Sequence, residues 1–262
     1  MKYWIDADPG VDDAIAIILA AKNIGDDLIG LSSVQGNFVE TVSAHNLIRI
    51  IEKLRESNIV TKHWAPVIAR GSNLSLKGPP YRSTDSKESY YHGKDGLADV
   101  TRSAPSNWPA MVSKQAAQEI YDWYRSSKNF TLVCLGPLTN VAIAILLNSD
   151  LPKFVTNLVI MGGSFRVGGN ETMAAEFNFM ADPEAAQLVL SSGFQEIKII
   201  PLDPCYDVRF SKNELPCLNE ISRGASIADW QKCFGNKPNV MVAASIPDRD
   251  AFFDKFFDLI AN

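Results

Sequence analysis

The stretch Asp6-Ala7-Asp8-Pro9-Gly10-Val11-Asp12-Asp13 puts four carboxylates within eight positions, between the apolar runs YWI and AIAIILAA. Like charges this close are stable only if a cation neutralises them or one of them keeps its proton. A hard divalent ion meets the first condition: Ca2+ takes about 6–8 oxygen ligands at roughly 2.3–2.6 Å, and Mg2+ takes fewer with stricter geometry. A single aspartate here would serve as a cap on the following helix, accepting backbone N–H bonds at the positive end of its dipole. A cap needs one acid, so the surplus points to a metal site. Phosphatases that form an aspartyl phosphate also place Asp-x-Asp after a first strand. They carry Ser or Thr after the glycine, whereas Gly10 is followed by Val11 and two more acids, which would repel a phosphate monoester.

Six apolar runs read as the buried strands that must position this cluster: YWIDA, LIGLSSV, HWAPVIA, FTLVCLG, NLVIMGG and IKIIPLD. Amphipathic helical patterns lie between most of them, as in AIAIILAAK, ETVSAHNLIRIIEKL, SKQAAQEIYDWYR and DPEAAQLVLSS. Strands that are apolar throughout and alternate with helices indicate an α/β fold with a mostly parallel central sheet flanked by helices. Five of the runs end in polar or glycine-rich residues: DADPG, VQGN, CLGPLTN, VIMGGS and IIPLDP. Such residues stop strands for conformational reasons alone, but five endings together predict a pocket outside the carboxyl edge of the sheet. The segment from Lys77 to Trp108, rich in Ser, Pro, Tyr and Asp, reads as a long loop, and loops of that length in a compact domain are usually functional or mobile.

The chain has 262 residues, 46% of them hydrophobic, which is enough apolar material for one core and a single domain over 1–262. A net charge of −5 without a long basic run argues against a nucleic-acid partner. No apolar run is long enough to span a bilayer, so no membrane partner is expected. Strand-like residues from position 3 leave no room for a signal peptide. The four cysteines, Cys134, Cys205, Cys217 and Cys233, lack CxxC or zinc spacing and read as reduced thiols of a cytoplasmic protein.

DADPGVDDAIAI resembles the amino-terminal signature of the inosine-uridine type nucleoside hydrolases, a calcium-dependent family. GNFVETVSAHN resembles their second motif, PVIARGSNLSL and HGKDGLADV the next two, TLVCLGPLTNVAIAI the central strand-turn-helix, and MGGSFRVGGNETMAAEFNFMADPEAA the longest motif. The resemblance runs in order from about residue 3 to 205. It implies an open Rossmann-like sheet and a hydrolase that cleaves the N-glycosidic bond of ribonucleosides. Asp8, Asp13 and the Leu135 carbonyl would ligate Ca2+, and Asp8 would also deprotonate the attacking water. Asp12 would touch the ribose 2′-hydroxyl, Asn37, Met161, Asn170, Glu176 and Asn178 would line the ribose pocket, and His92 would approach the base. Residue by residue, Asn170 also reads as a turn residue, Glu176 as a helix-start acid and His92 as a solvated loop histidine. The family also implies a homodimer or homotetramer.

N-ribosyl cleavage passes through an oxocarbenium-like sugar, as O-glycoside hydrolysis does. Carboxylates and amide oxygens around a developing cation stabilise the transition state more than the ground state. Past residue 205 the match weakens. The family's later His-Asp pair, followed by an alanine-rich helix, finds its nearest counterpart in KPNVMVAASIPDRDAFF, with Pro238 and Asn239 at the pair. Asn239 would then offer a neutral amide oxygen to the metal. A shortened, divergent carboxyl-terminal part is therefore expected, with a catalytically impaired homologue that keeps metal or nucleoside binding as the alternative function. Trp64, Tyr90, Tyr91, Phe165, Phe177 and Trp230 are the candidate base-stacking aromatics.

Overall fold

The computed structural model describes residues 1–61, 63–79, 81, 92–99, 104–113, 115–126, 130–207 and 240–242. Each of the six apolar runs becomes a strand: β1 Lys2–Ala7, β2 Leu28–Ser33, β3 Val67–Arg70, β4 Phe130–Cys134, β5 Asn157–Met161 and β6 Ile197–Ile200. β3 starts later than HWAPVIA suggests because Pro66 has no N–H for the ladder. A seventh strand, β7 Val240–Val242, stands at the start of the stretch expected to hold the alanine-rich helix, and the residues after Val242 lie outside the described ones. Two β-branched residues around Met241 favour an extended chain, and its backbone pairs in parallel with β6.

Every pairing is parallel, in the order β3-β2-β1-β4-β5-β6-β7. One row of partners crosses the whole sheet: Val67, Gly30, Trp4, Leu132, Leu158, Ile197 and Val240. The helices are α1 Val11–Ile24, α2 Glu40–Glu56, α3 Ala116–Ser126, α4 Thr139–Leu147, α5 Leu151–Phe154, α6 Phe177–Ala181, α7 Pro183–Ser191 and α8 Leu202–Cys205.

Successive strand residues point to opposite faces, and both faces are covered. Ile5, Ala7 and Leu31 pack with Ala14 and Ile17 of α1 and Leu47, Ile48 and Ile51 of α2. Trp4, Leu132 and Cys134 pack on the other side with Ile120 and Tyr124 of α3, Val141 of α4 and Val189 of α7. The chain builds outward from β1 to β3, then restarts at β4 on the other flank of β1. That reversal opens a crevice outside the carboxyl ends of β1 and β4, where open α/β sheets bind ligands. Among the described residues no helix is long and apolar enough to cross a membrane.

Candidate functional site

β1 delivers Asp8 into this crevice, and Pro9-Gly10 turns the chain into α1. Gly10 N–H donates to Asp13 Oδ2 at 2.9 Å, so Asp13 ties down the first turn of the helix that carries it. Asp8 Oδ2 accepts the Asn37 N–H at 2.8 Å, and Asn37 Nδ2 donates to the Asp8 carbonyl at 3.1 Å. The turns after β2 and β4 close on the same carboxylate. A Cβ on Gly36 would stand 2.1 Å from Asp8 Oδ2, and one on Gly136 2.6 Å from Oδ1. Only side-chain-free backbone fits against Asp8 on these two sides.

Asp8 and Asp13 are buried, and burial pushes both carboxyls well above the usual carboxylate range. The Asp13 charge raises Asp8 further, and the Asp12 charge raises both. Asp12 itself is half-exposed, with Oδ1 buried and without a hydrogen-bond partner. Asp6 does not join this group. Burial lifts its carboxyl to about 7, against the hydrogen bonds that Ser32 Oγ and Asn140 Nδ2 donate to its Oδ1. Asn140 Nδ2 also donates to the Ser33 carbonyl at 2.9 Å, while its Oδ1 accepts Ser72 N–H at 2.8 Å. Asp6 and Asn140 thus brace the floor of the site from below.

The segment HGKDGLAD returns to the acidic turn. His92 Nδ1 accepts the Val11 N–H at 3.3 Å and lies 3.9 Å from Asp12 Oδ1. Of the residues assigned to the base side, His92 is thus brought against the acids.

The opposite wall is built by β5 and α6. Asn178 Nδ2 reaches the Leu135 carbonyl at 2.6 Å and the Met161 carbonyl and Sδ at 3.1 and 3.2 Å. Leu135, Met161 and Asn178 therefore converge beside the Asp8 turn. Glu176 is the N-cap of α6: its carboxylate accepts N–H from Gly163, Asn178 and Phe179 at 2.9, 2.9 and 3.1 Å. Burial raises its carboxyl, and those three N–H groups oppose the shift. Asn170 is exposed and its Oδ1 accepts the Phe177 N–H at 2.8 Å. The helix-start acid and the turn amide are thus both realised as structural ties.

Phe177 is buried with Tyr81 edge-on at 5.6 Å, and Phe165 stands exposed on the loop after β5. Trp64 belongs to the core near the other end of β2, donating to the Leu28 carbonyl. Tyr90, Tyr91, Trp230, Pro238 and Asn239 lie outside the described residues, as do Cys217 and Cys233; Cys134 and Cys205 are buried free thiols. Val240, the neighbour of Asn239, starts β7 level with Trp4, four residues short of Asp8 along the strand direction.

Several residues of the site frame escape sequence reading. Asp203 accepts Phe165 N–H and Arg166 N–H at 3.0 and 2.9 Å and holds the loop after β5. Asp182 caps α7 and accepts Leu76 N–H and Thr139 Oγ1. The second has a readable signal, Asp before Pro at a helix start; the first has none.

Among the described residues no three His, Cys, Asp or Glu side chains converge as a metal-ligand cluster. Asp8, Asp13 and the Leu135 carbonyl still fit a hard cation chemically. They form an all-oxygen donor set, and the two acids share a repulsion that a cation relieves.

A parallel sheet flanked by helices on both faces is the fold of solved nucleoside hydrolases. A plant nucleoside hydrolase superposes with a TM-score of 0.72 at 28% identity, covering 83% of this chain and 65% of that one. The chain belongs to the inosine-uridine preferring nucleoside hydrolase family, whose model matches residues 3–220. It is 34% identical over 199 residues to the probable uridine nucleosidase 2 of Arabidopsis thaliana, covering 76% of this chain and 58% of that protein. It is 36% identical over 198 residues to the pyrimidine-specific ribonucleoside hydrolase RihB of Escherichia coli, covering 73% of this chain and 56% of that protein. The chain thus spans less than two thirds of the length of these relatives.

Proposed function

We propose that this chain hydrolyses the N-glycosidic bond of ribonucleosides to free base and ribose with Ca2+ as cofactor. The observation that carries the reading is the pair of buried, mutually repelling carboxylates, Asp8 and Asp13, at the β1/β4 crevice opposite Asn178. Asp8, Asp13 and the Leu135 carbonyl would hold the ion. Bound there, Ca2+ would supply a positive field able to acidify a water and to attract the hydroxyl oxygens of a sugar.

The remaining steps belong to the chain. Asn37 N–H fixes the plane of the Asp8 carboxylate by holding Oδ2. Asp8 takes the proton of the water whose oxygen attacks C1′. The C1′–N bond breaks with its electron pair going to the base, which takes a proton from solvent, and Asp8 returns its proton to solvent, so that one water is consumed overall. Asp12 accepts a hydrogen bond from the 2′-hydroxyl, and its unpartnered Oδ1 has the capacity for one. Asn37, Met161, Asn170, Glu176 and Asn178 form or frame the ribose wall, and His92 stands toward the base. The carboxylates stabilise the positive charge that grows on the sugar. A 2′-deoxy sugar would leave a buried acceptor unpaired and be rejected.

The names of the two curated relatives support a pyrimidine ribonucleoside, uridine first, as substrate. The test is release of ribose from uridine, cytidine, inosine and adenosine, with and without a chelator. Chelator-sensitive release from uridine is expected. A protein that binds Ca2+ but releases no ribose from any of the four would leave only the impaired-homologue reading.

A further inference from the structure

Among the buried polar side chains of α2 that the chemistry at Asp8 does not use are Asn46, wholly buried, and Arg49, 5% exposed. Asn46 Nδ2 has two hydrogens and donates to two carbonyls, Pro9 O at 3.2 Å and Asp95 O at 2.9 Å. Its Oδ1 accepts from Arg49 Nη1 at 3.0 Å, and Arg49 Nη2 donates to Asp95 Oδ2 at 2.8 Å. Arginine can only donate, so Arg49 fixes which way the Asn46 amide faces. We propose that Asn46, oriented by Arg49, is a positioning residue that keys the acidic turn to the loop carrying His92; the catalytic consequence rests on the hydrolase reading above.

The first arm acts through one peptide plane. Pro9 C=O and Gly10 N–H belong to the same rigid unit. Asn46 holds its oxygen, and Asp13 Oδ2 accepts from its nitrogen. A rotation of that plane displaces the Asp13 carboxylate, so Asn46 sets the position of an acid it never touches. The same turn delivers Val11 N–H to His92 Nδ1.

The second arm acts through a loop that is bonded to itself. Asp95 Oδ1 accepts N–H from Leu97 and Asp99, both at 2.8 Å, and Asp99 Oδ1 accepts the Lys94 N–H at 2.6 Å. Ala98 N–H donates to the His92 carbonyl at 2.7 Å. Held at Asp95, the loop carries His92 with it as one body. Gly96 makes the approach to α2 feasible: its φ is +83°, and a Cβ there would stand 2.4 Å from Asn46 Nδ2. A single side-chain amide therefore determines how the acids and the histidine meet.

The test uses Asn46→Asp in the full chain. Aspartate keeps the size and the acceptor for Arg49 but turns an oxygen toward both carbonyls. Gly96→Ala, which pushes on Asn46 from the loop side, is the second variant and serves if the first fails to fold. Misplacement of catalytic groups by about 1 Å can cost on the order of 100-fold, so kcat for ribose release should fall by about 10–100-fold with KM nearly unchanged. His92→Ala should then cost far less in the Asn46→Asp background than in the wild type, because its register is already lost. A fall in melting temperature with unchanged kcat, or an equal cost of His92→Ala in both backgrounds, would overturn the proposal. Amide hydrogen exchange at Gly10 and Val11 decides the keying without turnover. Faster exchange there in Asn46→Asp, with β1 and β4 unchanged, is the expected result, and unaltered exchange is the contrary one. A wild type that releases no ribose defeats the hydrolase reading while the exchange rates still test Asn46.

Discussion

In the turn after β1, Asp8 and Asp13 are both buried, the Asp13 charge adds to the cost of charging Asp8, and the Asp12 charge adds to the cost of both. In the stretch from β5 to α6 an acid equally deep, Glu176, spends both oxygens on three backbone N–H groups. Asp203 likewise holds two. The two regions draw on the same residue types and bury them to similar depth. The first leaves charge that an incoming cation or a cationic transition state can neutralise. The second uses charge to fix the course of a long loop. Burial of an acid therefore does not mark a site by itself: backbone N–H groups hold both oxygens of Glu176, whereas Asn37 and Gly10 N–H hold Oδ2 of Asp8 and of Asp13.

The sharpest way to break this contrast is Asp8→Ala. Loss of a general base lowers kcat by about 100- to 10,000-fold, and here the fold should survive, because relief of repulsion offsets the lost Asn37 bond. Circular dichroism and ribose release check both halves. Asp13→Asn comes next: removing one charge from a calcium site weakens affinity by roughly 100-fold, read by calorimetric titration. The matching change on the other wall, Glu176→Ala, should act mainly on stability. Losing a cap and stranding three N–H groups costs about 2–3 kcal/mol, measured by denaturant unfolding, and calcium affinity should change little.

The smallest effect is expected at Asp6. Burial lifts its carboxyl in the folded protein from the ordinary 3.8 to about 7. A raised folded value means that the stability contributed by neutral Asp6 is complete below about pH 4 and lost as pH rises through 7. Asp6→Asn should flatten that part of the stability profile. An unchanged profile would show that another group produces it.

Among the described residues, six of the seven strands and the acidic turn were legible because local pattern encodes them: uniformly apolar runs, glycine-bearing ends, and acids too numerous for a cap. β7 escaped because three residues, Val240–Val242, carry little pattern and earn their strand only by pairing with β6. The dual nature of Glu176 was visible as a helix-start acid, yet its third N–H, from Gly163, lies 13 residues away and no local rule supplies it. Asn46 was invisible for the same reason. On a helix read as amphipathic it is one more polar residue, and its meaning comes from Pro9 and Asp95, 37 and 49 positions off.

The central claim, that Asp8 and Asp13 keep charge in reserve for a cation while Glu176 does not, is tested most directly by titrating Ca2+ into three proteins in a calorimeter. Wild type and Glu176→Gln should each bind one ion with similar affinity, and Asp8→Ala should bind none. Calcium binding retained in Asp8→Ala, or abolished in Glu176→Gln with the fold intact, would contradict it.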